Sequence, residues 1–257
     1  FTSVDAMANL IKKNVIDIIG AARPSIADPF LPKKIQENRL EDIRECIGCN
    51  ICYAGDSLGV PIRCTQNPTM GEEWRRGWHP EVLPKKTSND SILIVGSGPS
   101  GLEAAHALGK RGYQVLVAEE KEMIGGRVVL ESKLPSLNEW IRVKDYRQQQ
   151  FLKLPNVEVF LKSKLETKDI LDTDVNHVVI ATGAKWRSDG FGRSNTLPIK
   201  KLYNYKNIFN PDDIMQGTLP SGKVVVFDDD YYYLAPIIAE MLQENGCEVT
   251  YVTTSSI

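Results

Sequence analysis

The sequence predicts an α/β chain in which an irregular cysteine-bearing segment precedes a Rossmann-like nucleotide-binding fold. Three observations carry this reading. The strand-like run SILIV passes through the turn GSGPSG into a helical stretch, LEAAHALGKRG, and a second strand, QVLVAEE. From Lys223 the same strand–turn–helix–strand plan returns in KVVVFDDDYYYLAPIIAEMLQENGCEVTYV. Upstream of both, four of the five cysteines fall between Glu45 and Thr65. Short apolar runs alternating with helices are the pattern of a parallel sheet covered on its faces.

Composition sets the outer limits. At 257 residues the chain is long enough for two domains, or for pieces of a larger protein. Its 42% hydrophobic and 25% charged residues are those of an ordinary globular protein. With 31 basic against 33 acidic residues the formal charge is −2, so no attraction to nucleic acid or membrane is driven by overall charge. No apolar run approaches the ~20 residues of a membrane span, and no secretory signal or internal repeat is evident. The chain begins at Phe1, in what reads as a loop before a helix, and stops at Ile257 just after EVTYVT. It is read as an internal fragment of a longer polypeptide.

Taken in order, residues 3–13 place Ala6, Met7, Leu10 and Ile11 at helical spacing, with Ser3 as N-cap. Val15 to Ile19 is short, β-branched and nearly all apolar, which suits a buried parallel strand. Gly20 then opens a polar loop carrying Arg23, Pro24 and Asp28. Helix, strand and polar loop in that order end a βα-barrel, whose ligands sit at the C-terminal ends of the strands. Arg23 is therefore a candidate phosphate ligand, and a solvated loop arginine is the plain alternative.

Cys46, Cys49 and Cys52 follow at steps of three, and Cys64 returns after eleven intervening residues. A triplet of this kind presents three thiolates from one tight loop to an iron–sulfur cluster, and a later fourth ligand closes the site. Gly48 lets the loop turn, and Gly55 and Gly59 loosen the return path. A structural zinc also takes four thiolates but usually from two separated pairs, and disulfides need an oxidising compartment. The connector MGEEWRRGWHPEVLPKK has no clear period. Its Trp74 and Trp78 are expected to cover the cluster from water, and His79 has no evident partner as a ligand. Residues 84–90 read as a linker and domain boundary.

Gly96, Gly98 and Gly101 then stand between a buried strand and a helix, the context a dinucleotide-binding turn requires. The first glycine makes the turn, the second admits a pyrophosphate and the third lets helix and strand pack closely. The helix that follows the turn offers N-terminal amides and a dipole that favour phosphates. Glu119 follows Gly101 by 18 residues, placed to accept from ribose hydroxyls. Ile124 to Gly126 forms a second close-approach glycine pair beside Arg127. His177 to Ala184 reads as a buried strand running through Thr182 into a turn at Gly183. In the second unit of the plan the turn is Asp228 to Tyr233, without glycine. The three aspartates suit the positive end of the following helix. They would also repel a pyrophosphate, and the three tyrosines would crowd it, so no productive NAD(P)H site is expected there. Cys247 reads as a small buried hydrophobe.

With these motifs in order, the chain resembles the trimethylamine dehydrogenase family, which includes dimethylamine and histamine dehydrogenases and is related to dienoyl-CoA reductases and old yellow enzyme. The matching stretches are IIGAARPSIADPFLPKK, EDIRECIGCNIC, RCTQNPTMGEEWRRGWHPE, ILIVGSGPSGLEAA and VVIATGAKW. GEEWRRGWHPE is the stretch that looks most like the amine dehydrogenase branch. The resemblance implies the end of an FMN-binding βα (TIM) barrel over 1–40 and a [4Fe–4S] segment with connector over 41–88. An FAD- or ADP-binding Rossmann-like domain over 89–204 and an incomplete second nucleotide-binding-like domain over 205–257 would follow.

By motif match, Arg23 would contact the FMN phosphate, and Cys46, Cys49, Cys52 and Cys64 would ligate the cluster. Gly96, Gly98, Pro99, Ser100, Gly101, Glu119, Gly126, Arg127, Thr182 and Gly183 would surround ADP or FAD. The implied activity is oxidative N-demethylation of a small methylated amine. Electrons would pass from FMN through the cluster to an acceptor, with an electron-transfer flavoprotein the expected partner. A cytoplasmic homodimer is expected for the full-length protein. Two other readings stand beside this one: an NAD(P)H-dependent enone or dienoyl-CoA reductase, and a nucleotide-binding electron-relay module without chemistry of its own. No catalytic acid or base can be named from these residues.

Overall fold

The computed structural model describes residues 2–57, 59–202 and 205–255. Phe1 and Ile257, the chain ends on which the fragment reading turns, lie outside the described residues, as does Asn204, the expected end of the first nucleotide domain. The chain forms two compact units, Phe1–Val128 with Glu139–Thr182 and Val129–Asn138 with Gly183–Ile257.

The first unit begins with five short helices: α1 (Val4–Lys12), α2 (Ala22–Ala27), α3 (Leu31–Gln36), α4 (Ile51–Ser57) and α5 (Glu73–Arg76). Ser3 caps α1 as expected, its hydroxyl accepting from the Ala6 amide at 3.3 Å. Met7 then packs with Leu31 and Ile43 in a small core. The strand expected over Val15 to Ile19 does not form. Val15 is 61% and Ile18 is 85% exposed, and no described segment pairs with them. A strand exists only through the neighbour that shares its hydrogen bonds. Arg23 and Pro24 lie in α2 rather than in a loop. Lys34 ties the segments together from a fully buried position. Its ammonium donates to Asp28 Oδ2 and the Asp42 carbonyl at 2.7 Å each, and to Glu81 Oε1 at 2.9 Å. A charge so deeply placed persists only because each of its protons finds an acceptor.

The rest of the first unit is a four-stranded parallel sheet. Its strands are β1 (Ser91–Val95), β2 (Gln114–Ala118), β3 (Val157–Phe160) and β4 (His177–Ile180), in the order β3-β2-β1-β4. Helix α6 (Pro99–Arg111) links β1 to β2. Between β2 and β3 run α7 (Val128–Glu131), which passes into the second unit at Val129, and α8 (Arg142–Phe151); α9 (Thr167–Leu171) precedes β4. Because side chains alternate along a strand, SILIV divides between two cores. Ile92 and Ile94 pack with Ala105, Val115 and Val117, while Leu93 and Val95 pack with Ala118 against Leu165, Ile170 and Val175. Both faces of β1 are thus covered, which is why it reads as an unbroken apolar run. β4 departs from its expected burial: it is the edge strand, and Ile180 is 65% exposed.

The second unit carries α10 (Pro211–Met215), then β5 (Lys223–Asp228), α11 (Leu234–Glu244) and β6 (Glu248–Thr253), with β5 and β6 parallel. Asp228 to Asp230 do not serve α11, whose first turn holds no acid. Asp228 Oδ1 instead accepts from the Asp230 and Tyr231 amides at 3.1 and 3.0 Å, and Oδ2 accepts from the Tyr251 hydroxyl at 2.6 Å. Asp229 takes the Ser194 amide at 2.8 Å. The turn after β5 spans Asp228 to Tyr233, so side chains that reach back to turn amides are satisfied before the helix starts. Cys247 is buried as expected, its Sγ donating to the Pro220 carbonyl at 3.4 Å.

Candidate functional site

The glycine turn after β1 reproduces, atom by atom, the three steric tasks its spacing suggests. Gly96 has φ of +99°, and a Cβ there would lie 2.5 Å from the Ala181 carbonyl oxygen and 3.2 Å from Thr182 Cα. Gly101 sits so close beneath that turn that a Cβ would collide with the Gly96 carbonyl. At Gly98, the N-cap of α6, a Cβ would meet nothing within 4 Å. At the first turn of α6, Ser100 and Gly101 leave backbone N–H groups without intrahelical partners, while Pro99 has none to satisfy. The Ile124 to Gly126 segment closes over the turn: Gly125 donates to the Ser97 carbonyl at 2.9 Å, and a Cβ on Gly126 would stand 2.9 Å from Gly98 Cα. Arg127 follows it directly, half-buried, before α7. Gly183, with φ of +79°, is the first residue of the second unit after Thr182.

Glu119 directly follows β2, and its side chain turns back onto this loop. Its Oε2 accepts from the Ser97 amide at 2.9 Å and the Ser97 hydroxyl at 2.5 Å, and its Oε1 accepts from the Lys121 amide at 3.0 Å. Burial alone would push the Glu119 carboxyl up, but these hydrogen bonds outweigh it and hold the group ionised below the usual range. A carboxylate offers about four acceptor positions, so after these three bonds one remains for a ligand hydroxyl. Ser97 escaped the sequence reading, although its place inside GSG was a sufficient signal.

The four clustered cysteines meet around one cavity, lined by Cys46, Cys49, Cys52 and Cys64 together with Arg23 and Asn50. The Cys46–Cys52 loop turns through Gly48 and, without a glycine, through Asn50, which holds φ of +62°. Arg23 Nη1 donates to Asn50 Oδ1 at 2.8 Å, so the arginine buttresses the cysteine loop. Cys49 Sγ lies 3.2 Å from Thr65 Oγ1. Burial pushes the Cys64 thiol up, opposed by amide hydrogen bonds from Asn67 and Gln66. Among the described residues, no three His, Cys, Asp or Glu side chains converge on the position of one metal ion. No disulfide joins any two of the five cysteines. The two tryptophans expected to shield the cysteines do not: Trp74 is 85% exposed, and Trp78 lies under the Arg76 guanidinium at 4.8 Å. His79 Nδ1 accepts from the Glu81 and Val82 amides at 3.1 and 3.0 Å.

A buried polar network joins the cysteine segment to α6 within this unit. Glu103 Oε2 accepts from Arg147 Nε at 2.7 Å and Arg44 Nη1 at 3.3 Å. Arg44 and Arg147 donate in turn to the Gln66 carbonyl at 3.0 and 3.3 Å. Gln66 stands between Cys64 and the buried Asn67, so the network grips the return arm of the cysteine loop. Arg44, Gln66 and Arg147 carried no motif, and only their burial together marks them.

The family profile of the pyridine nucleotide-disulphide oxidoreductases matches residues 90–226, from the residue before β1 into β5. The chain belongs to this family. The dimethylamine dehydrogenase of Hyphomicrobium sp. (strain x) is 45% identical over 98% of the chain and 36% of that protein. Among solved structures, 6-hydroxypseudooxynicotine amine oxidase from Pseudomonas geniculata N1 aligns with a TM-score of 0.95 and 52% identity, over 100% of this chain and 38% of that one. Histamine dehydrogenase from Rhizobium sp. 4-9 aligns at 0.91 and 49%, with the same coverage of 100% and 38%. The resemblance to the trimethylamine dehydrogenase group read from the motifs therefore holds across nearly the whole chain. The chain spans little more than a third of the length of these relatives. Among the described residues, no helix is long and apolar enough to cross a membrane.

Proposed function

We propose that this chain belongs to an iron–sulfur flavoprotein oxidoreductase of the amine dehydrogenase type, one that N-demethylates a small methylated amine. The observation that carries the reading is the single cavity shared by Cys46, Cys49, Cys52 and Cys64, in a chain this similar to a dimethylamine dehydrogenase. The donor set fits a [4Fe–4S] cluster: four cysteines line one cavity, and four thiolates complete the ligands of one cube. When bound, such a cluster accepts and passes on one electron at a time.

The chain's own residues have separable tasks in this reading. The four cysteines hold the metal, while Arg23, Asn50 and the Gln66–Asn67 amides fix the loop that presents them. The open space at Gly98 and the first turn of α6 take the pyrophosphate of ADP or FAD, and Glu119 accepts from its ribose. Arg23 gives one of its five guanidinium N–H donors to Asn50, and the others are proposed to reach the FMN phosphate together with further donors of the whole protein. FMN is proposed for the whole protein. The partition proposed is a barrel end over 1–40, a cluster segment over 41–88, and nucleotide-binding folds over 89–204 and 205–257. An electron-transfer flavoprotein as acceptor, a homodimer and a cytoplasmic location complete the reading, the last because cluster thiols need a reducing compartment.

The test is anaerobic purification followed by assay. Iron and acid-labile sulfide in roughly equal amounts, with flavin reduced by dimethylamine or trimethylamine, are expected. Zinc without sulfide, or reduction by none of the methylated amines, would sink the reading.

A further inference from the structure

We infer that the Thr65 hydroxyl donates to the Cys49 sulfur and thereby raises the reduction potential of the cluster that the four cysteines hold. The inference rests on the cluster reading above. Thr65 Oγ1 lies 3.2 Å from Cys49 Sγ, close for a bond to sulfur. Either atom could donate in a free thiol, but a ligating cysteine is a thiolate and has no proton to give. The hydroxyl must then be the donor.

Its position is fixed from both sides. Thr65 follows Cys64 directly, so one stretch of backbone presents a ligand sulfur and a donor to a second ligand. The next two residues are buried and anchored: the Gln66 carbonyl takes Arg44 and Arg147, and Asn67 Nδ2 donates to the Ile26 carbonyl at 3.0 Å. Gln66 and Asn67 also supply backbone amides to the Cys64 sulfur, which a residue of any type would do. The Thr65 donor depends on its side chain, so the residue type matters there. Reduction adds one negative charge to the cluster, spread partly onto its sulfur ligands. A donor dipole aimed at one of them stabilises the reduced form more than the oxidised form, and the potential rises. Thr65 is a tuning residue that touches the ligand, not a catalytic one.

The test compares wild type with Thr65→Val, which keeps the shape and removes the O–H, and Thr65→Ser, which keeps the donor. Thr65→Ala is carried alongside to separate bulk from hydrogen bonding. Iron and sulfide are quantified, and each protein is titrated anaerobically with dithionite in the presence of mediators, following the reduced-cluster EPR signal. The expected result is an unchanged metal content, a lower midpoint potential in the Val variant, and a wild-type potential in the Ser variant. A fully loaded Val variant titrating at the wild-type potential overturns the inference and leaves the four-cysteine reading standing. Loss of iron from both the Val and Ala variants also overturns it, by making Thr65 structural. Wild type without sulfide overturns both readings.

Discussion

The Arg44 guanidinium lies 3.3 Å from the Glu103 carboxylate, with Arg44 two residues before Cys46 and Glu103 in the helix that opens at Gly98. One buried ion pair thus connects the cysteine loop to the glycine turn. Removing one partner of such a pair strands the other charge, at a cost of about 3–5 kcal/mol. Glu103→Ala is expected to lower stability by about that amount in urea denaturation, because both Arg44 and Arg147 lose their counter-ion. Adding Arg44→Met should recover part of the loss. A single variant as stable as wild type would show that the network contributes nothing net.

Acid should separate a second pair. Burial works against the charge on Asp42, but hydrogen bonds from Lys153 at 2.6 Å and Gln150 at 3.0 Å prevail and hold its carboxyl at about 2. A depressed carboxylate contributes stability above its unfolded pKa and loses it as pH falls through the folded one. Asp42→Asn is therefore expected to be less stable than wild type at pH 6. That gap should close as pH falls from the ordinary value of 3.8 to about 2. Denaturation midpoints at several pH values check this, and a gap that stays constant to the lowest pH would contradict it.

Among the cysteines the prediction is one of contrast. Ala at Cys46, Cys49, Cys52 or Cys64 should strip iron and sulfide from the protein. Cys247→Ser should leave both unchanged, since that thiol lies in the second unit against the Pro220 carbonyl. Elemental analysis and the visible spectrum report each case.

The glycine turn predicts a division between folding and binding. Gly98→Val meets open space in the folded chain, so it should fold normally and fail to bind ADP or FAD. Gly101→Ala collides with the Gly96 carbonyl and should lose stability even without nucleotide. Glu119→Ala should weaken binding by about 1–3 kcal/mol, the range for a hydrogen bond to a charged group. Calorimetric titration with ADP beside thermal melts separates the effects. Nucleotide binding by the Val variant at wild-type affinity would move the site elsewhere.

NADH and NADPH should not reduce the flavin of the full-length protein. Asp228 accepts from amides of its own turn and Asp229 from the Ser194 amide, Tyr231 has φ of +58°, and a pyrophosphate approaching there meets carboxylates. At ~5 Å one like-charge pair costs roughly 3 kcal/mol at an effective dielectric near 20. Anaerobic titration watching flavin bleaching tests this, and rapid reduction by either nucleotide would favour the enone reductase reading.

Local chemistry made the glycine turn and the cysteine loop legible in the chain itself. GSGPSG between an apolar run and a helix, and three cysteines at steps of three, have few physical uses, and those uses depend on neighbours close in sequence. The two cores around β1 follow from the alternation of side chains along SILIV. Burial and pairing were decided only by the tertiary structure, because they depend on residues far along the chain. Val15 to Ile19 has the composition of a strand but no described partner, β4 is an edge, and Trp74 points into solvent. The network of Arg44, Gln66, Glu103 and Arg147 spans over a hundred positions and follows no periodic pattern, since charges are drawn together by folding rather than by spacing. Thr65 belongs with them: a threonine after a cysteine is unremarkable until the fold places its hydroxyl 3.2 Å from the sulfur of another.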